Sequence, residues 1–222
     1  MQIENLQLGN IYSNEEIRST FGCSLQSGMN KSNSTNTLVL IINHIKSIYH
    51  DRWFNNKVHH IGKGQIGDQE LTRENKTLSE SKSNGVVPHL FEVFKAGEYI
   101  YRGQVHLYDK PYQKQQPDKN GDSRLVWVFP LKFNNNSKPI NHSEIENVFQ
   151  AQFKKSQKLS NEELESKANN LPDILGYREV ATIRHQRNPY VVSYTLRRAC
   201  LLYTSDAADD SLRVDLGGRR II

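Results

Sequence analysis

The amino-acid sequence predicts an α+β fold: a curved, mostly antiparallel, barrel-like sheet with a C-terminal helical extension. Two patterns predict this class. Residues 37–133 place one helical segment among five or more strands, which favours a sheet that curves around its own core. Residues 142–199 carry apolar side chains at helical spacing. The 222 residues are enough to bury a sizeable core, although only 36% of them are hydrophobic, so the surface is very polar.

Two capping boxes mark the expected starts of helices. Ser13 and Glu16 predict a helix near the N-terminus, which is expected to end at Gly22 because glycine readily adopts the left-handed backbone of a helix end. Ser160 and Glu163 form a second capping box within the helical extension.

The polar loop Ser24–Asn36 follows the first helix and has two interpretations. It is either a solvated connection or a segment that follows a phosphate backbone through Lys31 and the hydroxyl groups of Ser32 and Ser34.

Five segments of the central region have the alternating or continuously apolar patterns of strands. They are Thr37–Asn43, Lys57–Ile61, Pro88–Phe94, Glu98–Leu107 and Arg124–Phe133. The turn Asp118–Gly121 is a strong hairpin signal before the last of them. One helix is predicted over Asp68–Ser81, where Leu71 and Leu78 are seven residues apart and share a helix face.

Composition divides the chain at three points. Residues 1–133 are predicted to form the sheet domain, the polar residues 134–141 a linker, and residues 142–199 a basic helical region. Residues 200–222 lack Asn and Lys, and their two halves, CLLYTSDAAD and RVDLGGRRII, resemble translated sequencing-library adaptor. We expect this tail to be an adaptor-derived artefact that was never selected to fold and that interrupts the natural sequence after residue 199.

Composition also excludes several classes of protein. No stretch approaches the ~18 apolar residues of a membrane-spanning helix, and the N-terminus lacks the pattern of a secretory signal. Cys23 and Cys200 cannot build a disulfide scaffold or a zinc site. We therefore expect a cytoplasmic protein with no membrane partner. The net charge of +5 permits nucleic-acid binding without requiring it.

Motifs of the common enzyme classes do not occur in the sequence. Gly62–Gly67 matches G-x-G-x-x-G, but no βαβ unit with an acidic partner follows, so dinucleotide binding is not favoured. Four histidines gather near Asp51 in the sequence: His44, His50, His59 and His60. Their irregular spacing does not indicate a metal site, and an enzyme that uses them on a small molecule stays the least favoured class.

The residues around the glycine turn resemble a known family. The run HHIGKGQIGDQ at residues 59–69, followed by Asn75 and Leu78, is similar to the centre of the SRA (SET and RING finger-associated) domain. Tyr99–Gly103 matches the family's Tyr-x-Tyr-x-Gly strand, and Val126–Leu131 matches the strand that closes its sheet. The resemblance implies an SRA/PUA-like fold. It is closest to the SRA-like domains of bacterial HNH endonucleases that restrict modified DNA.

The resemblance also implies a pocket for a modified cytosine that has been flipped out of duplex DNA. In the family an Asp precedes the glycine turn, and Asp51 matches that position best; a carboxylate suits the N4 amine of cytosine. Tyr49 or Trp53 would stack on the base. His60 and Ile61 replace the Tyr and Thr of the family's turn, so this chain departs from the pattern on one side of the pocket.

Other residues are expected to contact DNA or to hold the turn. Lys31, Ser32 and Lys63 are candidates for contacts with the DNA backbone. Asp68, Gln69 and Asn75 are expected to hold the junction between the turn and the next helix instead of touching the base.

Arg184–Ala199 resembles the helix that leads into the HNH module of such endonucleases. The resemblance therefore implies that this chain binds double-stranded DNA with a modified cytosine by flipping that base into a pocket. It would be the recognition part of an HNH restriction endonuclease, whose catalytic module this chain lacks. The alternative is a stand-alone reader of modified DNA. No cofactor is expected within residues 1–199, whereas the HNH module would use a divalent metal. A homodimer is left open.

Overall fold

The protein was analysed as a computed structural model. The structure describes residues 2–45, 51–118, 120–134, 142–169, 177–178, 184–185, 188–205, 213–214 and 220–221. Tyr49, His50 and most of the predicted linker lie outside these residues.

Thirteen strands and five helices make up the described part of the chain. The strands are β1 Ile11–Tyr12, β2 Met29–Ser32, β3 Thr37–Asn43, β4 Arg52–Phe54, β5 Lys57–Ile61, β6 Val87–Lys95, β7 Glu98–Leu107, β8 Tyr112–Pro117, β9 Ser123–Phe133, β10 Tyr177–Arg178, β11 Arg184–His185, β12 Arg213–Val214 and β13 Arg220–Ile221. The helices are α1 Asn14–Phe21, α2 Arg73–Ser79, α3 His142–Ser156, α4 Asn161–Asn169 and α5 Pro189–Ser205, and a short 3₁₀ helix spans Ile3–Asn5. All five strands predicted from the sequence are present.

Eleven of these strands form one curled, unclosed sheet in the order β11-β10-β4-β5-β9-β7-β6-β3-β2, with β1 added to β7 and β8 added to β9. Neighbouring strands are antiparallel except for two parallel pairs, β3 with β6 and β10 with β4. The predicted α+β class with a curved, mostly antiparallel sheet is confirmed. Strands β12 and β13 pair only with each other within the described residues.

The two faces of the sheet bury separate apolar clusters because side chains alternate along each strand. The first cluster includes Leu40, Trp53, Leu78, Leu90, Phe129 and Phe133 and lies inside the curl, and we call this side the inner face. On the opposite, outer face, α1 packs on β3, β6 and β7 through the second cluster, which contains Tyr12, Ile17, Phe21, Val39, Phe91 and Tyr101. Of the predicted pocket residues, Trp53 belongs to this inner cluster, and Asp51 and His60 form a pair on the same face.

Helix α1 forms as predicted from its capping box. The backbone N–H of Glu16 donates to Ser13 Oγ, and the Glu16 carboxylate accepts from the backbone N–H of Ser13 at 2.7 Å. Gly22 ends the helix with φ of 66°, a left-handed conformation that glycine adopts without strain.

Helix α2 is shorter than predicted, and this is a correction. It begins at Arg73 instead of Asp68, and Leu71 precedes it and is 37% exposed, so Leu71 does not share a buried helix face with Leu78. The reason is that the residues before the helix bond to β9. The Asp68 carboxylate accepts from the backbone N–H of Leu125 at 2.7 Å, which holds this segment against a strand.

The helices of the C-terminal region pack on one another. Ser160 forms its capping box with Glu163, with both hydrogen bonds present. The hydroxyl groups of Ser156 in α3 and Ser193 in α5 are buried against each other, and Arg197 in α5 donates to the backbone oxygen of Leu159 at 2.6 Å. None of the helices in the described ranges is long and apolar enough to cross a membrane.

Deletion of residues 200–222 is expected to leave the melting temperature unchanged. The shorter chain keeps the contacts that Pro189, Ser193, Tyr194 and Arg197 of α5 make with α3, α4 and the turn between them. The check is thermal unfolding of the full chain beside a chain that ends at Ala199. A drop of several degrees would contradict the interpretation of the tail as an adaptor-derived artefact.

Candidate functional site

The hairpin of β4 and β5 positions the centre of the predicted pocket. Its two-residue turn places Asn55 at φ of 51°, a left-handed conformation that Asn tolerates better than most residues. The register pairs Arg52 with His59 and Trp53 with Val58. Continuing this antiparallel register by one residue brings Asp51 opposite His60, on the inner face.

Asp51 and His60 form a buried pair. The Asp51 Oδ1 atom accepts from the backbone N–H of Ile61 at 2.8 Å and lies 2.9 Å from His60 Nδ1. The two side chains are 5% and 4% exposed. Among the described residues no donor contacts Asp51 Oδ2, and both ring nitrogens of His60 are buried without a hydrogen-bond partner, so Nδ1 is near Asp51 without hydrogen-bond geometry. The pair thus holds polar atoms that described side chains leave unused, which is costly unless something else binds them.

A second polar group lies on the same face of the sheet. Glu92 is fully buried; its Oε2 lies 3.2 Å from Arg102 Nε, and its Oε1 lies 2.7 Å from His44 Nε2. The Arg102 guanidinium is 6.0 Å from the centre of the Trp53 ring, and Trp53 follows Asp51 by two residues on β4. Gln152 of helix α3 donates to the backbone oxygen of His44 at 2.9 Å, which fixes this end of β3.

A β-bulge turns Arg102 toward Glu92. Leu90 pairs with Gly103 and Phe91 pairs with Tyr101, so Arg102 is the extra residue of β7. A bulge redirects the side chain of the inserted residue, and here it puts a cation on the inner face beside a buried carboxylate. The inner face therefore carries the ion pair Glu92–Arg102 and the close Asp51–His60 pair, with Trp53 adjacent to Arg102.

The glycine turn after β5 is a packing feature. A Cβ atom on Gly62 would lie 2.7 Å from Gln69 Oε1 and 2.9 Å from Asn75 Oδ1. Those side chains bond to the turn: Gln69 Nε2 donates to the Gly62 oxygen at 2.6 Å, and the backbone N–H of Lys63 donates to Asn75 Oδ1 at 2.7 Å. Together with Asp68 they hold the turn against β9 and α2, as the sequence analysis expected.

The other predicted site residues have different surroundings. Trp53 is 1% exposed and stacks on Phe133 with ring centroids 5.7 Å apart, so it lies in the core and not at a surface open to a base. Ile61 is buried on the outer face against Val126 and Val128. The stacking roles of Tyr49 and Trp53 stay untested predictions, since Tyr49 lies outside the described residues.

The predicted backbone contacts also differ in exposure. Lys31 is exposed on β2, as a contact with DNA requires. Ser32 is 1% exposed, and its Oγ atom lies 3.0 Å from Ser34 Oγ, which directs it into the protein. Lys63 is partly exposed and pairs with Glu74 at 2.9 Å.

The outer face of the same strands carries a cluster that the sequence analysis missed. His59 Nδ1 lies 3.0 Å from the Tyr112 hydroxyl, and His59 Nε2 lies 2.6 Å from the Tyr108 hydroxyl. Lys57 Nζ lies 4.4 Å from the centre of the Tyr108 ring. Burial, with the nearby cations Arg52 and Lys57, lowers the pKa of His59. Alternation of Lys57 and His59 along β5 was the signal that could have placed both on one face.

The part of the chain that the structure describes contains no group of three or more His, Cys, Asp or Glu side chains able to hold a metal ion. Two of the histidines that are close together in the sequence instead bind other side chains. His44 binds Glu92 and stacks on Phe94, with ring centroids 4.3 Å apart, whereas His59 binds two tyrosines.

The curled sheet, its inner polar pairs and the glycine turn that packs on β9 define an SRA-like domain. The chain belongs to the family of ScoMcrA-like SRA domains, whose model matches residues 8–149. The resemblance read from the glycine turn and the strands after it is thereby confirmed.

Solved structures show similar folds at low sequence identity. The sulfur-binding and SRA domains of ScoMcrA in complex with phosphorothioated DNA match with a TM-score of 0.48 and 16% identity, over 66% of this chain and 46% of that one. The ScoMcrA phosphorothioation-dependent restriction endonuclease matches with a TM-score of 0.48 and 14% identity, over 96% of this chain and 52% of that one. The SUVH5 SRA domain with fully methylated CG DNA matches with a TM-score of 0.46 and 18% identity, over 61% and 94%. No curated protein matches the chain.

Proposed function

We propose that this chain recognises double-stranded DNA that carries a modified cytosine, 5-methylated or related, and binds the modified base after flipping it out of the duplex. The observation that carries the proposal is the buried Asp51 carboxylate, whose Oδ1 serves the protein while its Oδ2 receives no donor from the described residues. Membership of the SRA family supports it, since homologous SRA domains have been solved with methylated and with phosphorothioated DNA.

The chemistry of cytosine fits the unused atoms. The N4 amine of cytosine is a hydrogen-bond donor, and a carboxylate is its natural acceptor. A flipped base is read on its Watson–Crick edge in a pocket that excludes water, where one hydrogen bond discriminates more strongly than on an exposed surface. Asp51 Oδ2 is the proposed acceptor for the amine, and the backbone N–H of Ile61 holds the carboxylate in place by donating to Oδ1. His60 Nε2 offers a second polar atom beside the base.

The cutting step is proposed to belong to a module outside residues 1–199. Arg184–Ala199 resembles the segment that leads into an HNH module, which would supply a divalent metal as Lewis acid at the scissile phosphate. The recognition domain and that module would together form a restriction endonuclease. The present chain is expected to bind its duplex and leave it uncut when Mg²⁺ is added.

A binding titration tests the proposal. Duplexes of one sequence carry cytosine, 5-methylcytosine or 5-hydroxymethylcytosine at one position, and a further duplex carries a phosphorothioate at that step. We expect at least tenfold tighter binding to one of the duplexes with a modified base. An adjacent 2-aminopurine should brighten when that base leaves the stack. Equal affinity for all base variants, or a preference for the phosphorothioate alone, would refute base recognition.

A further inference from the structure

We propose that the outer face of β4, β5, β7 and β9 is a second DNA-binding surface, which contacts the phosphate backbone without reading sequence. It rests on the proposed function only in taking DNA as the partner. We define this outer basic face by Arg52, Lys57, His59 and Lys132, with the rings of Tyr108 and Tyr112. It is separate from the Asp51–His60 pair, because successive side chains of β5 point to opposite faces and His59 therefore points away from His60.

The register of the sheet brings two lysines, an arginine and two histidines together. Lys57 pairs with Lys132 across β5 and β9, and Lys132 pairs in turn with His106 of β7. Arg52 pairs with His59 across β4 and β5. Residues paired in this way share a face and have neighbouring Cβ atoms, so a row of basic side chains crosses four strands.

The two lysines have no acidic counterpart. Lys57 and Lys132 are both exposed, and no ion pair among the described residues includes either of them or Arg52. Strands β4, β5, β8 and β9 contain no Asp or Glu, and Asp109, in the loop before β8, is the acid whose charge acts on His59. Like charges directly opposite each other destabilise a sheet. A bound polyanion would remove that repulsion, which is the chemical argument for phosphates as the partner.

The cluster of His59, Tyr108 and Tyr112 adds ordered hydrogen-bonding groups to the same face. His59 holds the hydroxyl groups of Tyr108 and Tyr112, one on each ring nitrogen, and Tyr112 stays 39% exposed. Tyrosine hydroxyl groups and basic side chains are common donors to phosphate oxygens. Arg52, Lys57, His59, Tyr112 and Lys132 lie on strands, which hold them at fixed spacing, and His59 holds the Tyr108 hydroxyl just beyond β7.

The test uses a double variant, Lys57→Gln with Lys132→Gln, in the full chain. Its matched control is Lys76→Gln with Lys82→Gln, which removes the same charge from exposed positions at and beyond α2. We expect affinity of the outer-face variant for unmodified duplex to fall about tenfold. The slope of log Kd against log salt should fall by about 2, close to 0.9 for each lost phosphate contact. The control should keep the wild-type slope.

Two further readouts separate this inference from the proposed function. The preference for modified over unmodified duplex should be the same in the outer-face variant and the wild type, since the pocket is untouched. The melting temperature of the free variant should not fall, because a repulsive pair has been removed. An unchanged salt slope in the outer-face variant, or an equal loss in the control, would overturn the second surface. A wild-type protein with no preference among base variants would refute base recognition and leave this result standing.

Discussion

Asp51→Asn is expected to remove most of the preference for modified over unmodified duplex, a loss of about tenfold to hundredfold, since a good base contact is worth about 1–3 kcal/mol. The amide can keep its oxygen on the backbone N–H of Ile61, where Asp51 Oδ1 accepts at 2.8 Å. Its NH₂ group then takes the place of Oδ2 and presents a donor to the amine of the base, which is also a donor. Paired titrations at two salt concentrations measure the effect.

Affinity for unmodified duplex and its salt slope should stay near wild type in the Asp51→Asn protein, because phosphate contacts come from other residues. Asp68→Asn is the matched control. Asp68 also binds a backbone N–H through its carboxylate, that of Leu125, but it lies beyond the glycine turn. Full discrimination in the Asp51→Asn protein would exclude Asp51 as the reader, and loss of discrimination in the control would transfer that role to Asp68.

Asparagine at position 51 tests the role of the carboxylate more specifically than alanine does. Alanine would leave the backbone N–H of Ile61 without its acceptor and His60 without its charged neighbour, both in a buried place. An unmet buried donor costs about 1–3 kcal/mol, so loss of binding could then follow from local unfolding of the hairpin. Urea denaturation of the Asp51→Asn protein should show nearly wild-type stability.

Local rules predicted much of the fold. The capping box at Ser13 and the five predicted strands between Thr37 and Phe133 follow from short-range patterns, which the structure reproduces. Strands β4 and β8 were not predicted, and the predicted loop Ser24–Asn36 contains strand β2, which pairs with β3. The start of α2 did not follow, because Asp68 and Gln69 bond to β9 more than 50 residues away and override the local helical pattern. Tertiary hydrogen bonds of this kind leave no periodic trace in the segment itself.

The candidate site was predictable in part for the same reason. The position of Asp51 came from a family pattern, and the pairing of its carboxylate with Ile61 depends on the register set by the turn at Asn55. The Glu92–Arg102 pair depends on a bulge in β7, and a bulge is visible only once the two strands are aligned. The row of cations on the outer face needs the register of four strands at once.

Glu92→Gln is expected to lower the free energy of unfolding by about 3–5 kcal/mol, the usual cost of breaking a buried ion pair by removing one partner. Glu92 is fully buried, and the neutral amide leaves Arg102, 3% exposed, without the carboxylate that faces it at 3.2 Å. The amide keeps one oxygen, so only one of the two contacts, with Arg102 or with His44, can retain its acceptor. Urea denaturation measures the change, and a loss below about 1 kcal/mol would show that the Glu92–Arg102 pair contributes little to the stability of the protein.

A double-variant cycle decides whether the loss of stability comes from the broken interaction between Glu92 and Arg102. Arg102→Met removes the guanidinium and keeps an unbranched side chain of moderate length beside Trp53. If the interaction between the two side chains causes most of the loss, Glu92→Gln combined with Arg102→Met should be clearly less destabilised than the sum of the two single variants. Glu98→Gln, which removes the carboxylate from an exposed pair with Lys95, is the control and should change stability little. Additive losses would instead show that each substitution disturbs the packing around β6 and β7 independently, and that the interaction between Glu92 and Arg102 contributes little to stability.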